Sequence, residues 1–337
     1  MNEVKIIAEA GVNHNGSVEL AHKLIDLAKE SGADIVKFQT FSSELVLRHD
    51  TPLVEYQKNA GSENMFDLVK KLELTREEFA QLNRHCQAVG IEFLSTAFDL
   101  PSFDFLCDEL KMQRIKIPSG EIVNVPLLRR AVEKGKPIIL STGMCIMEEI
   151  EFALHTMRTW RPQASGEITI LHCTTAYPTH DSDIHLLSMV TLRDAFRLPT
   201  GLSDHSEGHL AAAGAVALGA VAIEKHFTLD RNMNGPDHRA SVDPVGLREL
   251  VRTVRSIEVM MGSAEKKPRP VEREAIKLVR RSLVATRNII IGEIIHAEDL
   301  VALRPEDGIS VREIDRVVGS RAWASFQQGE VLKWPVA

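Results

Sequence analysis

Two histidines stand where neighbouring strand-like segments of the chain end. His205 follows the seventh such segment, in GLSDHSEG, and His226 follows the eighth, in IEKHFTLD. A lone histidine is more often a hydrogen-bonded core or surface group, so the argument rests on their shared position. Two imidazoles at one rim suit a divalent cation that keeps open positions for water and substrate. We therefore predict a divalent-metal site at His205 and His226.

Polar side chains that could bind an anion recur in the same way. Lys37 and Lys116 lie at segment ends, where a lysine is either an ion-pair partner or an anion ligand. Hydroxyl groups that follow other segments favour the anion; they belong to Thr96, Ser119, Ser141, Thr175 and Ser203. Fixed positive charge beside short donors is what a phosphate and a carboxylate on one small molecule require. The chain has no GxxxxGK[ST] motif, so a nucleoside triphosphate is not indicated.

A further group of polar residues surrounds these positions in the sequence. Its members are Glu9, Gln39, Glu121, Tyr177, Glu224 and Asp237. Carboxylates near a cation serve as a base, as acceptors for sugar hydroxyls, or as partners that orient the histidines. The spacing alone does not separate these roles.

The elements that must position these residues alternate between strand and helix. Eight β-rich segments recur with helical apolar spacing between most of them, which indicates parallel strands with crossover helices. The segments are Val4–Ala8, Ile35–Phe38, Ile91–Leu94, Arg114–Ile117, Pro137–Leu140, Ile168–Leu171, Pro199–Leu202 and Ala220–Ile223. Chemistry-bearing residues at every strand end are typical of a (β/α)8 TIM barrel, since all eight ends open onto one face. A doubly wound sheet would concentrate them at its switch point.

The pattern changes beyond Met261, where GSAEKKPRPV reads as a linker. We predict a barrel domain over residues 1–262, a linker over 263–278, and a small β-rich domain over 279–337. The segment from Phe41 to Glu73 is longer than an ordinary barrel loop and is interpreted as a lid or substrate loop.

Composition excludes several classes of protein. The chain has 337 residues and a formal net charge of −7, without the basic excess that nucleic-acid and membrane-surface proteins need. No apolar stretch reaches the roughly 20 residues that span a bilayer, and no export signal is recognised. The four cysteines form no CxxC pair, which favours free thiols in a reducing compartment. We expect a cytoplasmic protein.

The motifs, taken in order, resemble those of the sialic acid synthase family along nearly the whole chain. They are EAGVNHNGS (9–17), VKFQTF (36–41), FLSTAFD (93–99), KIPSGEI (116–122), ILSTGM (139–144), HCTTAYP (172–178), GLSDHS (201–206), IEKHFTLD (223–230) and GPDHRAS (235–241). RRSLVATRNIIIGE (280–293) and LRPEDGIS (303–310) resemble the family's C-terminal antifreeze-like (SAF) domain.

The resemblance implies a nonulosonate synthase that condenses phosphoenolpyruvate with N-acetylmannosamine or 2,4-diacetamido-2,4,6-trideoxymannose. The two lysines and five hydroxyls would hold phosphoenolpyruvate, and His205 and His226 would bind manganese or magnesium. Glu9, Gln39, Tyr177, Glu224 and Asp237 would contact the open-chain sugar, with Glu121 close to the reacting carbons. The resemblance also implies a domain-swapped homodimer in which Arg304 reaches the substrate of the other subunit. The candidate catalytic residues are Glu9, Lys37, Lys116 and Glu121.

Three alternatives stay open. A barrel aldolase or lyase would form a Schiff base between pyruvate and Lys37 or Lys116. A synthase acting on phosphorylated sugars would need a further basic cluster, and the sequence offers no clear one. A non-catalytic carbohydrate-binding protein with an antifreeze-like tail is the third.

Overall fold

The computed structural model describes residues 3–52, 64–162 and 167–335, which belong to two compact units, Met1–Gly262 and Ser263–Ala337. The first unit contains a closed barrel of eight parallel strands arranged in chain order. The strands are β1 (Lys5–Gly11), β2 (Ile35–Thr40), β3 (Glu92–Ala97), β4 (Ile115–Ile117), β5 (Ile138–Ser141), β6 (Ile168–Cys173), β7 (Thr200–Asp204) and β8 (Ala222–His226). The predicted (β/α)8 barrel is confirmed.

Helices connect the strands, and their ends follow sequence signals. In the first unit they are α1 (Val18–Glu30), α2 (Ser43–Val46), α3 (Met65–Lys70), α4 (Arg76–Val89), α5 (Leu100–Asp104), α6 (Val125–Glu133), α7 (Met147–Trp160), α8 (Leu187–Phe196), α9 (Leu210–Ala217) and α10 (Pro244–Met261). Ser17 caps α1 by accepting from the backbone N–H of Leu20, as its position before the apolar spacing predicts. A capping box of Thr75 and Glu78 starts α4, and Gly90 ends it in the left-handed conformation.

Most barrel strands continue further toward their carboxyl ends than the sequence indicates. Backbone pairing runs through the polar residues themselves, with Gln39 opposite Thr96 and Glu9 opposite His226. The polar residues do not interrupt the strands because parallel pairing uses only backbone groups. Their side chains are therefore mounted on the sheet, which holds them more rigidly than a loop would.

The long connection between β2 and β3 carries two short helices, α2 and α3. Within the expected lid or substrate loop, residues 53–63 lie outside the described residues. The described remainder brings apolar side chains of α3 to the cavity discussed below.

The second unit is a small β-rich domain with its own core. Strand β9 (Ser282–Ala285) pairs antiparallel with β10 (Leu300–Leu303), and Leu283, Ile295 and Phe326 are among its buried residues. The unit also has the short helices α11 (Arg273–Val279) and α12 (Ile314–Val317), so part of the expected linker is helical. None of the helices in the described part of the chain is long and apolar enough to span a membrane.

Candidate active site

A cavity of about 340 Å³ opens at the carboxyl ends of the barrel strands. All the predicted site residues line it except Glu121 and Arg304. The strands bring the predicted residues together because every parallel strand of a closed barrel ends on the same face. The predicted residues in the lining are Glu9, Lys37, Gln39, Thr96, Lys116, Ser119, Ser141, Thr175, Tyr177, Ser203, His205, Glu224, His226 and Asp237.

The buried part of the cavity is a cluster of two lysines and two glutamates. The ammonium group of Lys116 lies 2.8 and 2.9 Å from the two carboxylate oxygens of Glu224. Lys37 forms an ion pair with Glu9, and its ammonium group lies 3.7 Å from the carboxylate of Glu224. All four side chains are at most 5% exposed. Four charges of alternating sign thus compensate one another where water is largely excluded.

Burial and pairing shift the acidities of these groups in different directions. Burial raises the pKa of Glu9 to about 7, although the Lys37 ammonium opposes this. For Glu224, burial is outweighed by Lys116 and Lys37, which hold the pKa of its carboxyl below the usual range. The pKa of Lys37 is raised because Glu224 and Glu9 outweigh its burial, whereas burial lowers the pKa of Lys116. As the pH falls, Glu9 therefore takes up a proton before Glu224 does.

Some of the predicted hydroxyl groups form hydrogen bonds with this charged cluster, and others do not. Thr96 accepts a hydrogen bond from Lys37 at 3.2 Å, and Ser203 donates one to Glu224 at 2.9 Å. Ser119 accepts from the backbone N–H of Gly143 at 2.8 Å. The hydroxyl of Ser141 is buried and has no hydrogen-bond partner among the described residues. An unpaired buried hydroxyl is costly, so it is suited to meet a bound ligand.

Gly143 and Cys173 also belong to the cavity region, and sequence reasoning missed both. A Cβ atom at Gly143 would collide with the hydroxyl of Thr175 and lie 3.0 Å from that of Ser119. Only glycine lets the backbone approach these hydroxyls so closely. Cys173 lines the cavity with its thiol pKa raised by burial, so it is a neutral polar neighbour. The STG sequence at 141–143 was the available signal for Gly143.

The two histidines meet as predicted. Their ring centroids are 5.5 Å apart, and both residues are 7% exposed. Nδ1 of His205 lies 2.8 Å from the carbonyl oxygen of Thr174, which can only accept, so this nitrogen donates and Nε2 keeps a free lone pair. Nδ1 of His226 is buried without a hydrogen-bond partner among the described residues. Burial lowers the pKa of both imidazoles, which therefore stay neutral.

This arrangement fits a divalent cation with a partly open coordination shell. Neutral imidazole is the form that binds metals, and an unpaired buried nitrogen is a site for one. The described residues contain no group of three or more histidine, cysteine or carboxylate ligands that could hold an ion. The protein would then supply two nitrogen ligands and leave the other positions to water and substrate.

The remaining predicted residues have distinct placements. The Tyr177 ring packs against that of His205 at 4.2 Å between centroids, and Asp237 is buried with its pKa raised to about 6 by desolvation. Glu121 lies outside the cavity lining, where its carboxylate accepts a hydrogen bond from the Asn124 side chain at 2.5 Å. Arg304 is exposed and directly follows β10 in the second unit. Roles for Glu121 and Arg304 in the reaction stay predictions.

Comparison with known proteins gives consistent matches over the whole chain. Residues 24–266 match the model described as the NeuB family, and residues 280–335 match the SAF domain. The N,N'-diacetyllegionaminic acid synthase of Legionella pneumophila is 46% identical over 98% of this chain and 93% of its own length. That of Campylobacter jejuni is 44% identical over 99% of this chain and 100% of its own length.

A solved structure agrees with the sequence matches. The N-acetylneuraminic acid (sialic acid) synthetase of Leptospira borgpetersenii, in complex with citrate, is 35% identical with a TM-score of 0.71. The match covers 82% of this chain and 90% of that chain. The predicted family resemblance and the predicted antifreeze-like tail are thereby confirmed.

Proposed function

Since the chain belongs to the NeuB family, we propose that it is a nonulosonate synthase, which joins phosphoenolpyruvate to an N-acetylated mannose-type aldose. The observation that carries the proposal is the meeting of two buried lysines and two neutral imidazoles in one cavity. The candidate aldoses are N-acetylmannosamine and 2,4-diacetamido-2,4,6-trideoxymannose. The similarity to the two N,N'-diacetyllegionaminic acid synthases favours 2,4-diacetamido-2,4,6-trideoxymannose, which leads to a legionaminate-type product.

Phosphoenolpyruvate binds, in this proposal, to Lys37, Lys116 and the surrounding hydroxyls. An arriving phosphate and carboxylate must compete with Glu9 and Glu224 for the two ammonium groups. The raised pKa of Glu9 eases this competition, because one carboxylate is readily neutralised near pH 7. The hydroxyls that complete the cradle are those of Thr96, Ser119, Ser141, Thr175 and Ser203.

His205 and His226 would hold manganese or magnesium, and such a cation acts as a Lewis acid on the aldehyde oxygen of the sugar. Their neutral imidazoles and the unpaired nitrogen of His226 support this assignment. Glu9, Gln39, Tyr177, Glu224 and Asp237 would orient the open-chain sugar.

The proposed reaction balances as phosphoenolpyruvate plus aldose plus water giving nonulosonate plus phosphate. C3 of phosphoenolpyruvate forms the new bond to C1 of the aldose, whose carbonyl oxygen becomes a hydroxyl. Water adds at C2, and phosphate leaves by cleavage of its C–O bond, which leaves the 2-keto group. Holding both substrates in one cavity contributes on the order of 7–11 kcal/mol to the acceleration. Glu9, which titrates near neutral pH, suits proton transfer, and Glu121 is the second candidate.

The family resemblance also supports a domain-swapped homodimer in this proposal. Arg304 of one subunit would then contact the N-acetyl group of the sugar held in the other subunit's barrel. A guanidinium group offers donors in a fixed fork, which suits recognition of a carbonyl oxygen.

Phosphate release tests the function directly. Purified protein is incubated with phosphoenolpyruvate and each candidate sugar, with manganese and after chelation. We expect stoichiometric phosphate and nonulosonate with manganese only. Absence of both products with either sugar would reject this synthase and leave the three alternatives, a Schiff-base aldolase, a synthase acting on phosphorylated sugars and a carbohydrate-binding protein.

A Schiff-base aldolase is the second candidate because burial lowers the pKa of Lys116, as such a lysine requires. The Lys116 ammonium group nevertheless contacts both carboxylate oxygens of Glu224. Borohydride reduction in the presence of pyruvate separates the two: covalent labelling of Lys37 or Lys116 identifies the aldolase, and the synthase stays unlabelled.

A further inference from the structure

The carboxylate of Asp237 differs from the other buried carboxylates of the cavity. Glu9 and Glu224 form ion pairs with Lys37 and Lys116, which hold the two glutamate side chains in place. Asp237 has no such pair among the described residues, and burial without a neighbouring charge raises the pKa of its carboxyl to about 6. The position of this carboxylate in the cavity must therefore be set by the backbone that carries it.

Hydrogen bonds join the loop between β8 and α10, which carries Asp237, to the loop between β1 and α1. Nε2 of His238 lies 3.1 Å from Oδ1 of Asn15, whose Nδ2 donates to the carbonyl oxygen of Asn234 at 2.9 Å. Because the amide nitrogen is engaged with that carbonyl, Oδ1 faces the imidazole, and Nε2 of His238 donates to it. Nδ1 of His238 then accepts from the hydroxyl of Thr228, 2.6 Å away. We call the hydrogen-bonded pair of Asn15 and His238 the Asn15–His238 bridge.

The Asn15–His238 bridge is closely packed as well as hydrogen-bonded. His238 is fully buried, and a Cβ atom at Gly235 would lie 2.6 Å from Cδ2 of His238 and 2.7 Å from Oδ1 of Asn15. Only glycine lets the loop lie this close to both side chains. Asp237 stands between Gly235 and His238 in the chain, and its own carbonyl oxygen accepts from the hydroxyl of Ser241 at 2.7 Å. The backbone is therefore fixed on both sides of Asp237.

We propose that Asn15 and His238 are positioning residues, which hold the Asp237 carboxylate where it accepts a hydrogen bond from the sugar. The inference rests on the proposed function, in which Asp237 contacts the open-chain sugar. Neither Asn15 nor His238 belongs to the cavity lining, so both act through Asp237. Loss of the bridge should weaken binding of the sugar. Binding of phosphoenolpyruvate should not change, because its lysines and hydroxyls belong to other strands and loops.

Two substitutions of His238 form a matched pair, because glutamine reaches the position of Nε2 and asparagine only that of Nδ1. His238→Asn therefore loses the hydrogen bond to Asn15, and His238→Gln keeps a donor for it. His238→Asn should raise the KM for the sugar by roughly 10-fold, the loss expected when a hydrogen bond to a carboxylate is weakened. The kcat and the KM for phosphoenolpyruvate should stay as in the wild type, because the lost interaction is made equally in the ground state and the transition state. His238→Gln should keep all three values.

Initial rates of phosphate release measure these constants in the presence of manganese. Each substrate is varied at saturating levels of the other, with whichever candidate aldose the wild type uses better. Asn15→Gly tests the other partner, since glycine adopts the φ of 50° found at Asn15 without strain. Asn15→Gly should raise the KM for the sugar as His238→Asn does. The double variant Asn15→Gly/His238→Asn should be no worse than either single variant, because both remove the same hydrogen bond.

The outcomes separate a positioning role from a purely structural one. A wild-type KM for the sugar in folded His238→Asn and Asn15→Gly would overturn the inference, even with a lowered midpoint of urea unfolding, because the bridge would then support folding alone. An equal rise in the KM of both substrates, or multiplied effects in the double variant, would also overturn it. Should His238→Asn not fold, Asn15→Gly decides. No phosphate release by the wild type with either aldose would instead reject the proposed function itself.

Discussion

The carboxylate of Asp204 and the ammonium group of Lys225 lie 2.8 Å apart, with both side chains 1% exposed. Asp204 directly precedes His205, and Lys225 directly precedes His226. Asp204 and Lys225 are paired opposite each other on the neighbouring strands β7 and β8. Ser206 joins both partners, since its N–H and hydroxyl donate to Asp204 and its carbonyl accepts from Lys225. The ion pair therefore fixes the backbone on both sides of His205 and next to His226.

Breaking the Asp204–Lys225 ion pair should weaken metal binding by the histidines more than breaking an ion pair elsewhere in the barrel. Asp204→Asn leaves a buried ammonium without its counter-charge, so the free energy of unfolding should fall by about 3–5 kcal/mol. Manganese affinity should fall about 10–100-fold, as is typical when a group that orients metal ligands is lost. Urea unfolding and manganese titration by electron paramagnetic resonance measure the two effects. Glu92→Gln, which breaks the pair with Arg114 at the start of β3, is the control and should keep manganese affinity. Wild-type affinity in folded Asp204→Asn would show that the pair does not position the site.

The histidines themselves are expected to be needed for turnover but not for folding. His205→Ala and His226→Ala should each lower kcat by on the order of 10³-fold, because a Lewis acid contributes several kcal/mol. Circular dichroism should stay as in the wild type, while manganese binding is lost. His180→Ala, at an exposed histidine outside the cavity lining, is the matched control. Full activity of either cavity variant would rule out the metal role.

The barrel could be predicted from the sequence because polar residues such as Glu9, Lys37 and His226 stand at the ends of the recurring strand-like segments. It could not predict that Glu9 and Glu224 neutralise the lysines, because that depends on distances across the barrel between residues far apart in the chain. The apolar residues of α3 that line the cavity could not be recognised from the sequence for another reason. Apolar residues at helical spacing look alike whether they face a core or a cavity. Only the position of α3 distinguishes the two.

A substitution of Glu224 should restore the stability that a substitution of Lys116 removes, but it should not restore activity. Lys116→Met leaves the Glu224 carboxylate buried beside only the more distant Lys37, so the free energy of unfolding should fall by about 3–5 kcal/mol. The double variant Lys116→Met/Glu224→Gln removes the stranded charge and should recover most of that loss. Turnover of phosphoenolpyruvate should stay abolished in both. Urea unfolding and phosphate release separate the outcomes; recovered turnover in the double variant would contradict a role of Lys116 in substrate binding.

Glu9 should make stability depend on pH in a defined direction. Burial raises the pKa of its carboxyl from 4.5 to about 7 in the folded protein, so the folded state holds a proton that the unfolded state releases. The stabilisation is complete below about pH 4.5 and is lost as the pH rises through 7. Relative to Glu9→Gln, the wild type should therefore lose unfolding free energy between pH 5 and pH 8. Urea unfolding of both proteins at these pH values measures the difference, and parallel pH profiles would disprove the assigned ionisation.

A dimer that shares its sites should allow inactive subunits to complement each other. Arg304→Ala lacks the residue proposed to serve the partner's barrel, and His205→Ala lacks a residue of its own barrel. In a mixed dimer, the barrel of the Arg304→Ala subunit receives Arg304 from the His205→Ala subunit, so one site of the two is intact. Mixed dimers isolated through two different affinity tags should show about half the wild-type turnover per dimer. A mixture of His205→Ala and His226→Ala is the control and should stay inactive, because both losses lie in the barrel. Failure of the first mixture to recover turnover, or wild-type KM for the sugar in Arg304→Ala alone, would reject the exchange of Arg304 between subunits.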